Sequence, residues 1–144
     1  MADVIKDLLK TKNQAIWTIE PGASVYDAIK EMADREIGAL VVTEENRVVG
    51  IITERDYARK VILRGKSSKD TAVRDIMTEK VIYVQPDQKI DECMALMTEK
   101  HIRHLPVLNG EKLAGMISIG DVVKAIISKT EFVIDQLTRY ISGT

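Results

Sequence analysis

The chain repeats itself at a fixed offset. Pro21, Gly50 and Asp56 recur as Pro86, Gly115 and Asp121, each 65 positions later. Met32/Met97, Ile37/Ile102, Leu40/Leu105, Val42/Val107, Ile52/Ile117 and Ile62/Ile127 keep the same offset, so the apolar pattern repeats as well. No gap is needed from Trp17 to Ile127. Two copies of one structural unit follow, and a site in one copy should have a counterpart in the other. The repeat continues upstream with a three-residue slip: Ile5-Lys6-Asp7-Leu8-Leu9 matches Val73-Arg74-Asp75-Ile76-Met77, and Lys12 matches Lys80. Asn13-Gln14-Ala15 most simply account for the slip.

Each copy holds roughly 50 to 60 residues, a size that buries only about 60% of its surface alone. The expectation is two sheets packed face to face around one shared core, with the pair as the folding unit. A chain of 144 residues with 45% hydrophobic and 30% charged side chains is that of a globular protein. The 21 basic and 22 acidic residues nearly cancel, which gives no electrostatic reason to expect nucleic acid as a partner. No apolar run is long enough to span a membrane. Residues 1–10 do not read as a signal peptide, so the expected location is the cytoplasm. The single cysteine, Cys93, rules out an internal disulfide and reads as packing.

The order β-α-β-β-α is predicted twice, an α/β (α+β) fold. The first copy has an extended run at 16–19 and a helix capped by Ser24 with Asp27 as the box partner. That helix carries Val25, Ala28, Ile29 and Met32, and Gly38 ends it or the turn that follows it. A hairpin follows, 39–43 and 48–53 around Glu44-Glu45-Asn46, and then a helix over 54–63 with Ala58, Val61 and Ile62 on one side and Gly65 as its stop. The second copy has an extended run at 81–84 and a helix starting at Pro86-Asp87 with Ile90, Met94 and Met97. Its hairpin turns at Asn109-Gly110, and Val122, Val123, Ile126 and Ile127 line its last helix. Repeat 1 is placed at 5–65, a polar linker at 66–72, repeat 2 at 73–129 and a separate C-terminal amphipathic helix at 130–144. That last helix either closes the fold or meets a second copy of the chain.

The strand-to-helix junctions are Gly50-Ile51-Ile52-Thr53-Glu54-Arg55-Asp56 and Gly115-Met116-Ile117-Ser118-Ile119-Gly120-Asp121. Each sets a hydroxyl at a strand end and a carboxylate three residues on. One reading is structural, with Thr53 and Ser118 as N-caps and Asp56 and Asp121 closing capping boxes. The other is a binding site. A helix N-terminus offers backbone N–H groups to phosphate, while a carboxylate accepts from the hydroxyls of a neutral diol. The combination fits a ribose phosphate. Arg55 adds a cation in the first copy, and its counterpart Gly120 adds none.

With these junctions, Pro21 and Pro86 after the first strands, Asp75-Ile76-Met77-Thr78 and Arg103-His104-Leu105-Pro106-Val107, the chain resembles a tandem pair of CBS domains. These are the cystathionine-β-synthase repeats that form Bateman modules. The resemblance covers residues 5–129. It implies a pseudo-twofold disc with two clefts for adenosine-containing ligands: AMP, ADP, ATP, NAD(H) or S-adenosylmethionine. In that scheme the hydroxyl and cations meet phosphate, the aspartate holds ribose, and backbone of the other copy meets adenine. One cleft would join Thr53, Arg55 and Asp56 with Lys80, Val81, Ile82, Ile102, Arg103 and His104. The other would join Ser118 and Asp121 with Ile16, Trp17, Thr18, Ile37 and Gly38. Gly38 and Ala39 stand where the first cleft has Arg103 and His104, so the first should favour phosphates and the second a bulkier or less charged ligand.

The alternative for Arg103 and His104 is a solvated turn. His101 and His104 form an H-x-x-H pair, but the chain has no other histidine, and no metal site is expected. The main expectation is a regulatory adenine-nucleotide or NAD(H) module without catalysis, homodimeric, read by a regulated protein partner. The alternatives are a ligand-free dimerisation module, an S-adenosylmethionine sensor and an α/β enzyme. The enzyme predicts a G-x-G-x-x-G turn or a P-loop, and the sequence contains neither.

Overall fold

The computed structural model describes residues 3–12 and 15–142. Helix α1 (Ile5–Lys12) leads into β1 (Thr18–Ile19), α2 (Val25–Arg35), β2 (Ala39–Glu44) and β3 (Arg47–Thr53). Helix α3 (Glu54–Tyr57) runs directly into a π-helical turn, Ala58–Ile62. The second half comprises α4 (Val73–Ile76), α5 (Ile90–Lys100), β4 (His104–Asn109), β5 (Lys112–Ser118) and α6 (Ile119–Ser142). Strand β1 pairs parallel with β2, and β2 antiparallel with β3. Strands β4 and β5 form the matching antiparallel pair, with Val84 of the expected run at 81–84 reduced to a single parallel bridge to Val107. The register shifts after Val42 and after Val107, the same point of both hairpins.

The core differs from the expectation of one shared interior. Two clusters form. One gathers Val25, Ala28, Met32, Leu40, Val42, Ile52 and Val61 with Val73 and Ile76. The other gathers Val84, Ile90, Cys93, Met97, Leu105, Val107, Ile117 and Val122 with Ile5 and Leu8. The lead-in segments are exchanged: α4, which opens the second repeat, completes the first core, and α1, which opens the first repeat, completes the second. Backbone bonds repeat the exchange. Val73 and Arg74 amides donate to the carbonyls of Ala23 and Pro21 at 2.8 and 3.0 Å, and Ile5 and Lys6 amides donate to those of Gln88 and Pro86 at 2.9 Å. Glycine makes this docking possible. A Cβ on Gly50 would lie 2.7 Å from Met77 Sδ, and one on Gly115 would lie 2.7 Å from Leu9 Cδ2.

Several local expectations shift. The cap of α2 falls on Glu36, in the left-handed region at φ 55°, and that of α5 on His101 at φ 56°; Gly38 lies at the end of the turn that follows α2, the second of the two places expected for it. Ser24 does cap α2, accepting from the Asp27 amide at 3.1 Å. The second hairpin turns at Gly110-Glu111 instead of Asn109-Gly110, because the positive φ of 65° falls on Gly110 and Asn109 pairs with Lys112. Helix α5 begins at Ile90 rather than at Pro86-Asp87, after a turn that α1 docks against. Val61 is buried, whereas Ile62 is exposed and Ala58 faces outward; Val122 is buried, whereas Val123 and Ile127 are exposed. The expected separate C-terminal helix is continuous with the last helix of repeat 2, since residues 119–142 hold no glycine or proline after Gly120 to break it. Cys93 is fully buried, and burial pushes its thiol up to about 11, consistent with packing.

Because Ile5 is fully buried in the core of the second repeat, Ile5→Ala should cost about 2–4 kcal/mol. Urea denaturation followed by circular dichroism should show that loss, with hydrogen exchange accelerating in β4 and β5 ahead of β2 and β3.

Candidate functional site: two clefts sharing one wall

The repeated junctions build the same local structure twice. Asp56 Oδ2 accepts from the Thr53 amide at 3.0 Å and from Thr53 Oγ1 at 3.1 Å, and Thr53 Oγ1 in turn accepts from the Asp56 amide at 3.1 Å. Asp121 Oδ2 accepts from the Ser118 amide at 2.8 Å, and Ser118 Oγ accepts from the Asp121 amide at 3.2 Å. Both are reciprocal capping boxes. The next amides are also committed: Glu54 donates to the Gly38 carbonyl at 3.1 Å and Ile119 to that of Arg103 at 2.8 Å. The helix starts therefore offer few backbone donors, and an anion there would depend on side chains.

Each junction opens onto a cavity. The Asp56 cleft measures about 320 Å³ and is lined by Thr53, Arg55, Asp56, Lys80, Ile82, Ile102, Arg103 and His104 as expected, with Ile51, Glu54, Thr78 and Gly38 in addition. Val81 does not line it. The Asp121 cleft measures about 330 Å³ and is lined by Ile16, Trp17, Ile37, Gly38, Ser118 and Asp121, but not by Thr18, which belongs to β1. It also takes in Lys12, Glu36 and His104. Asn13 and Gln14, expected to make up the upstream insertion, lie outside the described residues.

The charge contrast follows. The Asp56 cleft carries Arg55, Lys80 and Arg103 against Glu54 and Asp56. Arg55 is partly committed, its Nη1 donating to the His101 carbonyl at 2.9 Å. The Asp121 cleft carries Lys12 alone against Glu36 and Asp121.

A family model for the CBS domain matches residues 5–63 and again 73–128. The chain belongs to the CBS-domain family. It is 44% identical over 149 residues to the CBS domain-containing protein CBSX3, mitochondrial, of Arabidopsis thaliana, covering 96% of this chain and 72% of that one. Among solved structures, a protein with CBS domains from Burkholderia ambifaria MC40-6 is 55% identical with a TM-score of 0.83, over 87% of this chain and 94% of its own. The CBS domain pair of protein MJ0100, in complex with 5′-methylthioadenosine and S-adenosyl-L-methionine, is 25% identical with a TM-score of 0.79, over 90% and 99%. Tandem CBS pairs are regulatory and signal-transduction modules, and that coarse function holds here.

Two features of this CBS pair escape a reading by repeat. His104 was expected in one cleft only, yet it lines both. It fits because Gly38 has no side chain: a Cβ there would sit 3.1 Å from His104 Cε1 and Nε2 and 2.9 Å from Glu54 Oε1. Burial, then the charge of Lys12, lower the His104 pKa; Arg103 and Arg55 add to this and Asp121 opposes it. Lys12 is the second. It matches Lys80 in sequence, but it crosses to the junction of the other repeat. Its Nζ donates to Asp121 Oδ2 at 2.8 Å and to the Met116 carbonyl at 2.7 Å. Burial pushes the Asp121 carboxyl up, but the Lys12 ammonium and the Ser118 donors outweigh it and hold the group below the ordinary carboxylate range. Among the described residues no cluster of His, Cys, Asp or Glu could hold a metal ion, and no helix is long and apolar enough to cross a membrane.

A lowered His104 pKa means that the unfolded chain binds more protons below about pH 6.5. Stability from this group is full above that value and falls as the pH drops toward 5.5. Denaturant midpoints at pH 7.5 and 5.5 should show the fall, and His104→Asn should flatten it; an unchanged slope would mean that another group sets it.

Proposed function

We propose that this CBS pair is a non-catalytic sensor that binds AMP, ADP, ATP or NAD(H) in the clefts between its repeats. The observation that supports it most is the pairing of each motif aspartate with a cavity bounded by both copies. In the Asp56 cleft, the side chains of Lys80 and Arg103 are exposed and make no hydrogen bond or ion pair with the described residues. They are free to meet phosphate, with Arg55 beside them. Asp56 keeps its Oδ1 toward Lys60 at 3.2 Å, and a ribose would compete for that oxygen. The Asp121 cleft, with one committed cation, suits the adenosine end of a ligand or a neutral or cationic one. The complex of the MJ0100 pair with 5′-methylthioadenosine and S-adenosyl-L-methionine supports that second reading.

The proposed partner in assembly is a second copy of the chain. Helix α6 runs on to Ser142, and Val123, Ile127, Thr130, Ile134, Leu137 and Ile141 follow each other at spacings of four and three. That is the heptad seam of a helix that packs on another helix. The apolar members are 37–82% exposed, so the described residues do not cover them. A regulated protein would read the ligand-dependent arrangement of the pair. The buried free thiol suits a reducing compartment, and the cytoplasm is the proposed location.

A thermal-shift panel of AMP, ADP, ATP, NAD(H) and S-adenosylmethionine tests the sensor. A ligand at 100 times its Kd should stabilise the fold by about 2.7 kcal/mol. Arg103→Ala should weaken AMP far more than adenosine; equal loss of both contradicts the phosphate role, and no shift with any ligand favours the dimerisation module. For the assembly, sedimentation should give a dimer, and the double substitution Ile134→Glu, Leu137→Glu should give a folded monomer. A monomeric native protein would remove the seam reading.

A further inference from the structure

Lys12 is built into the Asp121 cleft in a way its sequence match, Lys80, is not built into the Asp56 cleft. The cause is helix length. Helix α4 stops at Ile76, and the chain then runs extended, so that Thr78 exchanges backbone bonds with Ile51 at 2.9 and 3.0 Å. Helix α1 continues to Lys12 and makes no such pairing among the described residues. Met116, which corresponds to Ile51, has its carbonyl satisfied by the Lys12 side chain instead. The ammonium is thereby fixed at the mouth of the capping box, with the Lys12 and Asp121 side chains only 18% and 23% exposed.

An ammonium has three N–H donors. Lys12 uses one on Met116 and one on Asp121 Oδ2. Asp121 Oδ1 takes no hydrogen bond or ion pair from the described residues. A donor and an acceptor of opposite charge thus stand side by side in the cleft. A vicinal diol matches that arrangement, because one hydroxyl donates to Oδ1 while its neighbour accepts from Nζ. We propose that Lys12 and Asp121 form one preassembled recognition unit for the ribose diol of the ligand in this cleft, with Lys12 as a ligand-contacting residue that selects ribose over deoxyribose. This rests on the reading of the clefts as nucleoside sites.

Trp17, the single tryptophan, lines the Asp121 cleft and not the other, so its emission reports that cleft alone. Adenosine and 2′-deoxyadenosine would be titrated against the full chain, its Lys12→Met and its Lys12→Arg variants, by Trp17 emission and by calorimetry. The native protein should bind adenosine about tenfold tighter than the deoxynucleoside, Lys12→Met should lose about that factor and discriminate little, and Lys12→Arg should retain most of it. Thermal melts of all three identify any variant that fails to fold, in which case Lys12→Arg against native decides through its discrimination ratio. Tighter adenosine binding to Lys12→Met would overturn the proposal, showing the lysine to be a competitor for Asp121. Undiminished discrimination in Lys12→Met would overturn it too. Heat of adenosine binding without a Trp17 response would place the ligand in the Asp56 cleft, ending this inference while leaving the sensor reading intact. No adenosine binding by either method would overturn both.

Discussion

The exchange of lead-in segments is the constraint on which the rest depends. Neither core is closed by its own repeat alone; each takes in the segment that opens the other. Val73 and Ile76 are buried in the first core, and Ile5 and Leu8 in the second. The tie between the repeats is therefore two short helices plugged in opposite directions, secured by matched backbone bonds to Pro21 and Pro86 and their neighbours. Because the two large interiors do not merge, space remains between the repeats. The clefts are that space, and segments anchored in the two buried cores border them.

Symmetry of the scaffold and asymmetry of the clefts have separate physical origins. The scaffold repeats wherever backbone geometry is at stake: the left-handed caps at Glu36 and His101, the register shifts after Val42 and Val107, and the glycines under Leu9 and Met77. It breaks where side chains face the cavities. Gly38 leaves room that Arg103, its counterpart, does not leave, and His104 occupies that room. One imidazole consequently borders both clefts. It feels Lys12 and Asp121 on one side and Arg103 and Arg55 on the other, so an anion entering either cavity acts on a group that the other cavity also touches.

Much of this was legible in the residues. The 65-residue offset predicts the duplicated hairpins and strand-to-helix junctions, since a periodic apolar pattern and a junction are local properties, while most of the lining of each cleft came from what the resemblance to CBS pairs implies. What was not legible is tertiary. No local signal tells that Ile5 packs with Ile117 rather than with Ile52, so the two separate cores could not be read. A left-handed cap on Glu36 or His101 contradicts residue preference, because tertiary packing overrides it. The place of Gly38 as a gap for His104, and the exclusion of Val81 and Thr18 from the cavities, depend on which way a short extended segment turns. The signal for Lys12 was present in its match to Lys80, but repeat logic alone assigns it no partner across the junction.

Lysine placement shows how the two repeats reach similar local electrostatics by different routes. Asp56 is held by Lys60, one helical turn along its own helix, whose Nζ also donates to the Ile76 carbonyl at 2.8 Å. The position matching Lys60 is Ala125, so the second repeat has no such lysine on its helix. Lys12 supplies the charge instead and likewise donates to a carbonyl, that of Met116. Each buried or half-buried carboxylate therefore has one ammonium and one capping hydroxyl, which offsets the cost of desolvating it. The difference lies in where the ammonium stands. Lys60 is outside its cavity and leaves Lys80 uncommitted within it, whereas Lys12 stands inside. The first arrangement leaves cations available for a phosphate. The second fixes a cation and a carboxylate together, and that pairing offers hydroxyls more than it offers charge.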